Sequence, residues 1–161
     1  MAEFLHHTIA PVYDARSRVL ILGSFPSVKS REAAFFYGHP QNRFWRVLAA
    51  LTGAPVPQSI PEKRALLLNH GIALWDTIAS CEITGSSDSS IRNVTPNDLT
   101  PILQTAKIQK IYCNGTASWQ LYQKYLLPRT KLPAEKLPST SPANAAWTLP
   151  RLIGAWQVIL D

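Results

Sequence analysis

Between Arg18 and Gly23 the chain runs Val19-Leu20-Ile21-Leu22, four apolar residues with no polar alternation. A strand of that kind leaves no face for water. It reads as a strand covered on both sides, and a parallel sheet between helices supplies that cover. The rest of the chain alternates accordingly. Ile72-Ala73-Leu74-Trp75 and Lys110-Ile111-Tyr112-Cys113 read as further strands, and a short fourth precedes Pro138. Phe44, Val47, Leu48 and Leu51 fall at helical spacing, so a helix opens near Asn42. Ser59 and Glu62 have capping-box spacing, with Pro61 in the first turn and Gly71 beyond the end. Thr95-Pro96-Asn97-Asp98 reads as another helix start, with Leu99, Ile102, Leu103 and Ala106 on the buried face. A helix from Thr116 to Leu126 is expected to stop at Pro128, and a last one buries Leu149, Leu152, Ile153 and Trp156. The expected fold is α/β, a three-layer α/β/α sandwich with a mostly parallel four-stranded sheet, in one domain over residues 1–161.

Ligands in such folds bind outside the carboxyl ends of the strands. The loops after Leu22, Trp75, Cys113 and Leu137 therefore carry the functional expectation. The formal net charge of +6 favours a polyanionic partner, because Lys and Arg release counterions from phosphates. The two cysteines, Cys81 and Cys113, lack CxxC spacing, and His6-His7 has no ligand partners in view. No metal or cofactor is expected. Residues 1–14 lack a signal-peptide core, and no apolar run approaches the roughly 20 residues of a membrane span. A monomeric cytoplasmic protein is the expectation.

The first loop, Gly23-Ser24-Phe25-Pro26-Ser27, leads on to Phe35-Phe36-Tyr37-Gly38-His39-Pro40-Gln41-Asn42-Arg43-Phe44-Trp45. Aromatics stack on bases and a helix start attracts anions. Taken alone, Phe35 and Phe36 read first as core and Asn42 as a helix cap. Leu137-Pro138-Ser139-Thr140-Ser141-Pro142-Ala143-Asn144 is a rigid loop of small hydroxyl residues suited to gripping phosphate, or a plain turn before the last helix. The polar stretch from Ser86 to Asn93 reads as a surface loop.

These segments together resemble the uracil-DNA glycosylase superfamily, and within it the hypoxanthine-DNA glycosylase branch. That branch's first motif reads Gly-Ser-Phe-Pro-Ser, as Gly23 to Ser27 does here. The mismatch-specific branch follows its first loop with His-Pro-x-Asn-Arg-Phe-Trp, matched by His39 to Trp45. Ser141 to Asn144 resembles the second motif, which pushes into the duplex. The resemblance runs from Val19 to Trp156, and the first motif with its extension is the specific part. Two residues depart from the wider superfamily. Phe25 stands where an Asn or Asp usually positions the attacking water, and Ser139 stands where the second motif often begins with His.

The resemblance implies hydrolysis of the bond between a deaminated base and its deoxyribose in DNA, with hypoxanthine as the expected base. It implies Asn42 as the catalytic residue and Tyr37 as the stacking residue. Backbone amides at Ser24 and Phe25 are expected to hold the base. Ser27, Ser139, Ser141 and Asn144 are expected to contact DNA. Asp76 follows the second strand and reads as a cap or buried hydrogen-bonding residue ahead of an auxiliary carboxylate, and His39 as part of a tight His-Pro turn ahead of a group acting near the leaving base. No lysine sits in a Schiff-base motif, so the abasic strand is expected to stay uncut. The competing readings are uracil or mismatch excision on the same fold, and a damaged-DNA-binding module without chemistry. An unrelated nucleotide-binding enzyme ranks below both, for want of a P-loop, GxGxxG or GxSxG pattern.

Overall fold

The computed structural model describes residues 3–6, 9–26, 28–33, 35–85 and 87–160. His7, Ser27 and Ser86 lie outside the described residues. In chain order the strands are β1 (Glu3–His6), β2 (Val19–Gly23), β3 (Ile72–Asp76), β4 (Ile78–Ile83), β5 (Arg92–Pro96), β6 (Lys110–Asn114) and β7 (Ala134–Leu137). The helices are α1 (Val28–Ala33), α2 (Phe44–Thr52), α3 (Ile60–Asn69), α4 (Thr100–Thr105), α5 (Thr116–Leu121), α6 (Leu127–Thr130) and α7 (Leu149–Trp156), with a π-turn over Tyr122–Leu126 joining α5 to α6.

Four strands form a parallel sheet in the order β3-β2-β6-β7. The apolar run is one of its two interior strands, β2, and its alternate residues feed two cores. Val19 and Ile21 pack with Phe44, Val47, Leu48, Leu152 and Trp156 from α2 and α7. Leu20 and Leu22 pack on the other side with Ile102, Tyr122 and Leu126. This is the expected three-layer sandwich, and it explains why β2 tolerates no polar residue. The cap at α3 also forms, with Ser59 Oγ accepting from Glu62 N at 3.2 Å, while Glu62 Oε1 accepts from Gln58 N at 3.3 Å and from Ser59 Oγ at 2.9 Å.

The antiparallel sheet β1-β4-β5 was not anticipated. The expected helix start at Thr95-Pro96 is instead the end of strand β5. Val94 and Thr95 are β-branched and suit a strand, and Pro96 ends it, where a missing N–H costs little. Asn97 is buried, and its side-chain amide donates to Asp76 O at 2.9 Å and Ile78 O at 3.1 Å. Helix α4 begins later, where Asp98 Oδ1 accepts from Thr100 N at 3.0 Å. Pro128 does not stop the fifth helix either. The π-turn absorbs the lost hydrogen bond, and the helical path continues to Lys131, whose φ of +58° ends it.

Both cysteines are buried. Burial pushes the Cys113 thiol up to about 12, partly offset by a hydrogen bond with Ser118. Only the thiolate attacks alkylating agents. Iodoacetamide at mildly alkaline pH is therefore expected to leave the folded protein unmodified and to label both thiols in denaturant. Rapid native labelling at Cys113 would contradict this packing.

Candidate active site

The parallel register brings the carboxyl ends of the strands into one row. Gly23 is level with Asp76, and Asn114 with Leu137. A cavity of about 130 Å³ opens above that row. The first loop, the aromatic segment and the loop after β7 close its sides. Gly23 is needed here because a Cβ would collide with the Asp76 carboxylate and come within 3.0 Å of the Tyr37 hydroxyl. The first loop is fixed against the neighbouring strand, since Thr77 N donates to Gly23 O at 2.8 Å and Ile78 N to Ser24 O at 3.1 Å.

Asn42 lies half-buried on the cavity wall, two residues before α2. Its Oδ1 accepts from Phe44 N at 2.9 Å and from Thr140 Oγ1 at 2.8 Å. The backbone donor dictates which end of the amide is oxygen. Thr140 is fully buried and is held in turn by Asn114, whose Nδ2 donates to Thr140 Oγ1 at 3.0 Å. Asn114 Oδ1 also accepts from Thr140 N at 3.1 Å. The chain of bonds thus runs from Asn114 through Thr140 to Asn42, each bond polarising the next. Among the described residues the Asn42 amino group makes no hydrogen bond. Asn42 is therefore a cap and a fixed donor together. With its oxygen doubly engaged, it is built to donate to a substrate atom rather than to accept from water.

Arg43 organises the loop after β7. Its guanidinium donates to the carbonyls of Ser141 at 2.9 Å and Asn144 at 3.1 Å, and also to that of Trp147. Its Nε reaches Thr140 O at 3.4 Å. One side chain thereby ties the start of α2 to a loop nearly 100 residues away, which is what places Thr140 against Asn42. Inside that loop Ser139 Oγ accepts from Ser141 N at 3.1 Å, and Asn144 Nδ2 donates to Ser139 O at 3.0 Å.

Tyr37 lines the cavity and stacks on Phe44 with ring centroids 4.1 Å apart. Its φ of +53° lies in the left-handed region, which costs a non-glycine residue about 1–2 kcal/mol. Strain held at a cavity wall is a pointer to function. Tyr37→Ala is expected to weaken capture of a base by about tenfold or more, since stacking is worth about 1–3 kcal/mol. Tyr37→Phe should be mild. Equal damage from both, measured as single-turnover rates, would put the role in the hydroxyl. Phe25 also borders the cavity, but its ring is buried with Ile78, Cys81 and Ile83 beneath the antiparallel sheet. It anchors the loop and offers no acceptor for water.

Of the residues singled out in the sequence, Ser24, Phe25, Tyr37, Asn42, Ser139 and Ser141 meet around this cavity. Asn144 lines an adjoining groove that it shares with Lys136 and Trp147, and Ser139 and Ser141 border both. Ser27 lies outside the described residues. His39 does form a turn, its Nδ1 accepting from Gln41 N at 3.1 Å. Asp76, Asn114, Thr140 and Arg43 were not picked out as site residues. Asp76 and Asn114 end strands β3 and β6, so the rule that ligands sit at strand carboxyl ends pointed to them. Thr140 and Arg43 needed the tertiary pairing.

Comparison with known proteins gives the family and the fold. The profile of the Uracil DNA glycosylase superfamily matches residues 10–159. Hypoxanthine DNA glycosylase of Methanosarcina acetivorans is 32% identical over 150 residues, covering 92% of this chain and 93% of the relative. Hypoxanthine DNA glycosylase of Methanosarcina barkeri is 33% identical over 111 residues, covering 67% of this chain and 70% of the relative. Among solved structures, the solution structure of a Methanosarcina acetivorans protein proposed to be a uracil DNA glycosylase superposes with a TM-score of 0.82. It is 29% identical and covers 99% of this chain and 97% of its own.

Proposed function

The chain belongs to the uracil DNA glycosylase superfamily, and from that premise we propose that it excises hypoxanthine from DNA and leaves an abasic site. The observation that carries this reading is the Asn42 amide, locked as a donor at the cavity wall beside a first loop that has Phe25 where water would be held. The relatives named hypoxanthine DNA glycosylase support the choice of base.

Hydrolysis breaks the bond between the base nitrogen and C1′ of the sugar. The bonding electrons leave with the base, the oxygen of a water molecule joins the cationic carbon, and a proton from that water ends on the departed base. A protein speeds this by extruding the base, stacking it, and meeting the charge that develops on it. In our reading Tyr37 stacks the base and the Asn42 amino group donates to it as negative charge arrives. The loop amides at Ser24 and Phe25 hold its carbonyl. Ser139, Ser141 and Asn144 contact the strand beside the cavity, with Ser27 as a further phosphate contact. The protein acts as a cytoplasmic monomer. Among the described residues no helix is long and apolar enough to cross a membrane.

A duplex panel carrying hypoxanthine, uracil, xanthine or mismatched thymine, cleaved with alkali after incubation, tests the choice of base. The hypoxanthine strand should be cut fastest. A faster uracil or thymine strand would move the assignment to another branch of the superfamily, and an uncut panel would leave a binding module. Binding should also weaken steeply with salt, by a log–log slope of roughly 0.9 per phosphate contacted, given the net charge of +6. A flat salt titration would argue against a DNA enzyme.

A further inference from the structure

We propose that the groove beside the cavity holds the phosphodiester backbone of the lesion strand, with Lys136 and Arg151, one before and one after the loop that forms it, as its cations. This deepens the reading above and rests on its excision of a damaged base from DNA.

The groove opens where the loop after β7 passes the cavity, and Ser139 and Ser141 border both. Its volume is about 520 Å³, against about 130 Å³ for the cavity, so it admits more than a single flat ring. Lys136 of β7 borders it, with its ammonium over the Trp119 ring at 5.8 Å. Trp119 is fixed to the same strand, its Nε1 donating to Ala134 O at 3.2 Å. Trp147 borders the groove as well, and the Arg151 guanidinium lies over its ring at 4.1 Å. Among the described residues that guanidinium makes one hydrogen bond, to Ala146 O at 3.2 Å, which leaves most of its five N–H donors to a ligand. An indole beneath each cation holds it by attraction to the ring face, so less side-chain freedom is lost on binding.

The loop itself is polarised in the same sense. Arg43 gathers the carbonyls of Thr140, Ser141, Asn144 and Trp147 on the side of α2. Ser139 Oγ and Ser141 Oγ accept from Ser141 N at 3.1 Å and Ala143 N at 3.2 Å. Among the described residues neither hydroxyl donates, so each has its hydrogen to offer. No described residue lining the groove is acidic. Glu135, the one carboxylate of β7, pairs with Lys110 at 3.7 Å and lines a separate pocket. Hydroxyl donors and cations without a carboxylate match a phosphodiester, which only accepts and is negative. The strand that sends its base into the cavity must pass the rim that cavity and groove share. The lesion strand is therefore the one held, and the grip needs no complement.

The probe is an oligonucleotide carrying a tetrahydrofuran abasic analogue, bound across a salt series as a duplex and as a single strand. Lys136→Ala and Arg151→Ala should each flatten the log–log slope by about 0.9 on the duplex and about 0.7 on the single strand, the loss of one phosphate contact. Lys136→Arg should keep the parent slope. Arg16→Ala removes the same charge beside Gly71, at the amino ends of the parallel strands, and should leave the slope unchanged. Both groove variants should excise hypoxanthine at the parent's single-turnover rate once protein saturates the DNA, because binding alone is lost. If melting shows that one of them does not fold, the other carries the test. Groove variants with the parent's slope, or an equal change from Arg16→Ala, would overturn the proposal. So would a change confined to the duplex, which would put the complementary strand in the groove. A parent with the expected slopes that releases no hypoxanthine would overturn the excision reading and leave the groove standing.

Discussion

Asn42→Ala should lose about a hundred- to thousand-fold in single-turnover rate on hypoxanthine DNA, the usual cost of about 2.7–4 kcal/mol for removing a donor to developing charge. The geometry supplies a sharper variant. Asn42→Asp keeps an oxygen for Phe44 N and Thr140 Oγ1 but has no amino group. It also sets a negative charge at the start of α2, which favours one. Its melting temperature should stay near the parent's while its rate falls with that of the Ala variant. The Ala variant should in addition lose about 1 kcal/mol of stability through the broken cap. A folded Asn42→Asp protein at parental rate would reduce Asn42 to a cap.

Arg43→Ala should cost the fold most. Hydrogen bonds from a charged donor are worth about 1.5–3 kcal/mol each, though those from one guanidinium do not simply add. Four carbonyls of the loop lose a charged donor together, those of Thr140, Ser141 and Asn144 keeping only their backbone N–H partners. A loss of at least about 3 kcal/mol is expected, or roughly 6–12 °C in melting temperature for a chain of this size. Arg43→Lys should recover little, because one ammonium cannot span a fork of carbonyls. Activity should fall with the Ala substitution as Thr140 drifts from Asn42. Calorimetry giving a shift below about 2 °C would contradict this tie between α2 and the loop after β7.

The central sheet was legible because its signal is local. Val19 to Leu22 can bury both faces only inside a sheet, and the caps at Ser59 and Gly71 bracket α3 without help from elsewhere. The antiparallel sheet was not legible, since β4 and β5 pair with register shifts that blur alternation. Thr95-Pro96-Asn97-Asp98 misled for a physical reason. Residues that cap helices also end strands, and Asn97 spends its amide across the chain on Asp76 and Ile78. The motif placed Asn42 at a helix start. Only the pairing with Thr140 and Asn114 shows which end of its amide faces the cavity. Asp76 looked like a capping residue in the sequence because nothing local distinguishes a carboxylate that caps from one that lines a pocket.

The most direct measurement incubates the purified protein in excess with a duplex holding one hypoxanthine and follows both products. The account predicts free hypoxanthine in step with abasic sites, on a strand that stays whole until alkali is added. A matched duplex with adenine at that position should release nothing. Binding of the duplex with no free base, or breaks appearing before alkali, would contradict it.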